Sequence, residues 1–198
     1  MEHGEDRASG IRTLGEKSES SPAVRWSTPR EGRRVLEARG ILPAGTLPHD
    51  LAVALSVIQS PNPRRRPAAV RTTKGESLPR VIFVTDDEVL RWHLPVWKRL
   101  VRAGEVETIL PSPDQIPSQL AKVLWETWET SMGSLEFLVT MRDGKKLAFV
   151  YSGPSDFVTL PASYRPSDIV EIRPGRGLAA AYEGNVGEPD NAWCVYSP

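Results

Sequence analysis

The segment LEFLVTMRDGKKLAFVYSG, beginning at Leu135, sets the tightest limit on the fold. Leu135, Phe137, Val139 and Met141 alternate with other positions, an Asp-Gly pair stands at 143 and 144, and Leu147, Phe149 and Tyr151 resume the alternation. Side chains of a strand point to opposite faces in turn, and Asp-Gly between two alternating runs is a strong reversal signal. The segment therefore predicts an antiparallel hairpin turning at Asp143-Gly144, with one apolar face that another layer must cover.

Helices are the available cover, but 18 prolines among 198 residues keep each of them short. TPREGRRVLEARG offers Thr28 as cap, Pro29 at the first helical position and Gly40 as terminator. LPHDLAVALSVIQSP is apolar nearly all round and is expected to be a buried helix over 48–59. Residues 113–130 place Ile116, Leu120, Val123, Leu124 and Trp128 at helical spacing.

VIFVT at 81–85 reads as a strand covered on both faces, followed by a helix over 86–102 kinked at Pro95, and VETIL at 106–110 as a second strand. Strand, helix and strand predict a βαβ unit with parallel strands. Short strands are expected at 157–160, 168–172 and 192–196, and no internal repeat is visible. The fold class is thus α/β or α+β, a small mixed sheet with one βαβ unit and one β-hairpin behind a disordered N-terminal arm. The expected division is 1–29 disordered arm, 30–60 helical segment, 61–79 basic Pro/Arg-rich connector and 80–198 α/β core domain.

Cys194 is the single cysteine, so no disulfide within the chain and no cysteine-based zinc site can form. The N-terminus lacks the apolar run of a secretory signal, and no stretch reaches the roughly 20 apolar residues that span a bilayer. A cytoplasmic protein without membrane contact is expected. The 25 basic and 25 acidic residues cancel, yet residues 1–80 carry 14 Lys/Arg against 9 Asp/Glu and the remainder is correspondingly acidic. A basic front suits either a polyanion or the acidic body behind it.

Asp86, Asp87 and Glu88 follow the first core strand, where open α/β sheets bind Mg²⁺ or phosphate, and where acidic residues also favour a helix start. VIFVTDDEVL resembles the first strand and acidic pair of response-regulator receiver domains. That family's phosphorylatable aspartate has only Asp143 as a counterpart, and Asp143 fits the hairpin turn. The triplet is therefore read as a helix start. LPASYRPSDIVEI resembles the segment ahead of the zinc core of VanY-type carboxypeptidases, whose ligand motifs do not follow. His49 and His93 lack metal-ligand spacing, no G-x-S-x-G occurs, and RPGRGLAA at 173–180 is read as a surface loop rather than a phosphate turn. No catalytic residue, metal or cofactor is assigned.

Two binding surfaces stand out. Arg64, Arg65, Arg66, Arg71 and Lys74 concentrate positive charge on the connector and could track a phosphate backbone. Trp92 and Trp125 lie off the main apolar faces of their helices and could form an aromatic patch for a partner. The expected function is a non-catalytic accessory or regulatory binding protein whose arginine-rich connector contacts nucleic acid. The alternative is a protein-interaction module using helix 48–59 and exposed tryptophans; a third is a Mg²⁺-dependent phosphate-handling enzyme using Asp86 and Asp87.

Overall fold

The computed structural model describes residues 29–91, 99–186 and 188–198, so the expectation for the arm at 1–29, apart from Pro29, and those for Trp92, His93 and Pro95 fall outside the described residues. Five helices and ten strands follow one another as α1 (Pro29–Ala38), β1 (Gly45–Thr46), α2 (His49–Ser56), β2 (Arg65–Thr72), β3 (Ser77–Thr85), α3 (Asp86–Arg91), β4 (Leu100–Arg102), β5 (Val106–Leu110), α4 (Ser118–Thr127), β6 (Leu135–Met141), β7 (Lys146–Tyr151), β8 (Ile169–Pro174), α5 (Leu178–Ala181), β9 (Gly184–Val186) and β10 (Ala192–Ser197). The fold is mixed α and β, as the patterning predicts.

The strands form two sheets. The first has the order β1-β10-β3-β2-β5 with β4 also on β10, and the second has the order β8-β6-β7-β9. In the first sheet β2 alone runs against its neighbours; in the second, β6 does. The βαβ connection from β3 to β5 is present, with β2 between its two parallel strands.

The connector at 61–79 is not extended linker but strand β2 and the turn of a second hairpin. Its sequence lacks a clean period because Arg65 and Arg66 occupy strand positions that apolar residues usually fill. Further departures have similar causes. Leu100 and Val101, expected in a helix, form β4 on β10, while α4 begins only after Pro117, whose φ of −49° and ψ of 127° are non-helical. Residues 157–160 make no strand, only a single bridge from Phe157 to Gln115. Val57, placed on a buried helix by its pattern, is 73% exposed.

The two halves are copies of one design. Val70↔Ile109, Arg71↔Thr108 and Thr72↔Val106 pair β2 with β5. Val139↔Ile172, Thr140↔Glu171 and Met141↔Ile169 pair β6 with β8, and the register breaks at the same step in both. Both hairpins close identically: Thr72 N–H donates to Glu76 C=O and Met141 N–H to Lys145 C=O, each at 2.8 Å. The next residues bond across to the third strand's lead-in, Thr73 N–H to Glu105 C=O at 2.9 Å and Arg142 N–H to Asp168 C=O at 2.8 Å. Even the helix starts match, with Ala52 N–H on Pro48 C=O at 2.9 Å and Ala121 N–H on Pro117 C=O at 3.0 Å. LPHDLAVAL and IPSQLAKVL carry the equivalence in sequence.

Each copy buries its own core. Leu51, Leu55 and Ile58 of the first cover Ala68, Val70, Val81 and Phe83. Ala121 and Leu124 of the second cover Phe137, Val139, Phe149 and Tyr151, whose rings stack or meet edge-on at 4.9–6.0 Å between centroids. Burying a side chain of this size stabilises by about 1.5–3 kcal/mol. Ile82, Val84, Trp193 and Val195 on the other face of the first sheet pack with Leu36, Val89 and Phe157.

Candidate functional site

Thr85 ends β3, and its hydroxyl accepts the Glu88 N–H at 3.4 Å while the Asp86 carboxylate accepts the Asp87 N–H at 2.9 Å. The other Asp86 oxygen accepts the Ser197 hydroxyl at 2.8 Å, tying α3 to the end of β10. Glu88 pairs with Arg64 at 3.6 Å. The acidic triplet thus starts a helix and anchors a strand. Among the described residues no group of three or more His, Cys, Asp or Glu side chains could hold a metal ion.

The connector's cations are dispersed by strand geometry. Arg64 meets Glu88, Arg71 meets Glu107 at 3.3 Å and Lys74 meets Glu105 at 3.5 Å. Arg66, one residue from Arg65, points to the opposite face, where its charge acts on the Tyr196 hydroxyl. Basic front and acidic body therefore meet within one chain. Pairs as exposed as Arg71–Glu107 contribute only about 0–1 kcal/mol each.

Arg65 is placed differently. Its guanidinium lies 5.0 Å from the ring centroids of both Trp125 and Trp193, bringing β2, α4 and β10 together. Asp156, 2% exposed, accepts the Trp125 indole N–H at 3.3 Å on one oxygen, and its other oxygen has no hydrogen-bond partner. Burial pushes the Asp156 carboxyl up to about 6, against the lowering pull of Arg65 and of the Trp125 bond. Arg65 is itself held below its ordinary value by desolvation, opposed by Asp156 and Glu188. Nearby, Arg80 bonds to Asp190 C=O at 2.8 Å and to Asp114 at 3.2 Å, a second staple between the copies.

Trp125 is partly buried and engaged by Asp156 and Arg65, and Trp128 is the more exposed residue at 49%. Trp128 has φ 62° and ψ −52°, and Glu129 N–H donates to Thr127 C=O at 2.7 Å, which closes a γ-turn. That conformation is rare and strained for a residue with a Cβ. Met132, 98% exposed, follows in the same loop.

The copies differ on their outer faces. Glu136 alternates with Phe137 and so faces away from α4; its carboxylate accepts the Leu178 N–H at 3.0 Å, which sets α5 on that face. Leu138 and Ala148 are buried there. This also disposes of a phosphate turn at 173–180, because the first amide of α5 already meets a carboxylate. In the first copy the corresponding face holds Ala69, Pro79 and Leu110 around a groove of about 510 Å³, and Leu110 is 59% exposed. There the chain runs from β5 through Pro111 and Pro113 straight to α4, with no helix between.

Cys194 is buried in β10, and burial pushes its thiol up to about 12. His49 is exposed at the start of α2. No helix among the described residues is long and apolar enough to cross a membrane. No family model, curated protein or solved structure matches the chain.

Proposed function

We propose that this protein is a non-catalytic binding module that receives a partner protein in the groove beside Leu110, the part of its first sheet's outer face that Leu36, Val89 and Phe157 do not reach. One observation carries the reading: the second copy covers the same face with its own helix α5, whereas the first leaves a groove of about 510 Å³. The partner accordingly presents a short apolar helix, the kind of segment this sheet design already packs. A groove along a sheet with apolar lining is a surface on which an amphipathic helix can lay its apolar face. A reducing, cytoplasmic setting accords with a lone thiol.

Nucleic-acid contact through Arg64, Arg66, Arg71 and Lys74 is the competing proposal, weakened by the carboxylates that Arg64, Arg71 and Lys74 already face. Crosslinking in the native cell, read by mass spectrometry, separates the two. Leu110→Arg copies Arg173 of the second sheet and should fold while losing a partner crosslinked near the groove. A gel shift at low salt that disappears when those four cations become Ala, with no partner sensitive to Leu110, would establish the nucleic-acid reading instead.

A further inference from the structure

We propose that Asp156 is a proton-operated latch between the two copies, closed when its carboxyl carries a proton and loosened when it ionises. The segment bearing it is pinned at both sides, Ile116 N–H donating to Asp156 C=O at 3.0 Å and Val158 N–H to Asp114 C=O at 3.1 Å. The carboxyl is driven inward, where the Trp125 indole satisfies only one oxygen. The charged groups acting on it come from separate elements: Arg65 of β2, and Glu188 of the segment ahead of β10. The Arg80–Asp114 pair, from β3 and the approach to α4, lies close by, since Asp114 C=O accepts the Val158 N–H.

Closure holds the proton more tightly than opening does. Inside, the carboxyl titrates at about 6; exposed in an opened junction it returns to the ordinary 3.8. A group whose pKa is higher in the closed state favours closure at low pH, and the benefit is lost as pH rises through the closed-state value. Glu188 reinforces the effect and Arg65 opposes it. Arg65 stands between Trp125 and Trp193, so release of Asp156 frees one wall of the aromatic sandwich that joins α4 to β10.

Hydrogen exchange on the full chain, corrected for intrinsic pH dependence, tests the latch on peptides spanning 118–127 and 152–160. Between pH 5 and pH 7 the opening equilibrium should rise about tenfold. Asp156→Asn should remove that dependence, and Glu188→Gln should move it to lower pH. An unchanged dependence in Asp156→Asn would overturn the proposal. A carbon-13 titration of the wild-type Asp156 carboxyl gives an independent reading: a midpoint near 6 supports the latch, and one near 3.8 overturns it.

Discussion

Gly75 and Gly144 occupy the same place in two hairpins 69 residues apart, with φ of +79° and +85°. Each closes a three-residue loop by donating its N–H to the last residue of the preceding strand, Thr72 or Met141, at 2.8 and 2.9 Å. Left-handed backbone is available to glycine without a Cβ penalty, so both turns use it although most of the surrounding residues differ.

Alanine at either glycine meets no atom within 4 Å of its Cβ, and the cost is the backbone's alone. Gly75→Ala and Gly144→Ala should each lose about 1–2 kcal/mol in urea unfolding. Unequal losses beyond a few tenths would show that the two turns are not equivalent.

The helix start at Thr85 predicts a local effect and no metal effect. Thr85→Ala should destabilise by about 1 kcal/mol through the lost cap on Glu88. Millimolar Mg²⁺ should leave the melting temperature of the wild type unchanged. A metal-dependent rise that Asp86→Asn abolishes would instead reveal a cation site.

Arg65 and Lys74 carry the same charge in different surroundings. Arg65→Ala strips the contact with both indoles at the junction, for which the expected loss is about 2 kcal/mol or more. Lys74→Ala removes an exposed pair and should change stability by under about 1 kcal/mol. Equal effects in chemical denaturation would refute the assignment of Arg65 to the junction.

Cys194 should resist a thiol reagent at pH 8 in the folded protein, since it is buried and its thiol is pushed up to about 12. Rapid labelling under native conditions, and not only in denaturant, would contradict the position of β10 inside the first sheet.

Trp128→Gly should relieve the γ-turn strain and leave stability within about 1 kcal/mol of the wild type, because the lost ring contact and the relieved backbone oppose each other. Trp125→Ala should be markedly worse. A calorimetric comparison of the two variants decides which indole is structural.

The alternation around Phe137 and Phe149 made the second hairpin legible, and Asp86 as a helix start followed from local chemistry. The first hairpin was hidden for a physical reason. Arg65, Arg66 and Pro67 lie in β2, and their placement depends on Trp125, Trp193 and Tyr196, which are remote in sequence. Beyond LPHDLAVAL and IPSQLAKVL the correspondence of the two halves is faint in sequence, because Ala68 stands where Phe137 does, and Leu110 where Arg173 does, so the chemistry differs while the register does not. The outer-face groove and the buried Asp156 follow from tertiary packing alone and have no local signature.

β10 supplies the first sheet with a central strand, although more than a hundred residues separate Phe83 from its partner Cys194. During synthesis the first copy must therefore wait, its β3 edge unfilled, until the second copy has been made. The two halves should consequently melt together in one transition, and the nascent first half is the stage at which a chaperone has most to protect.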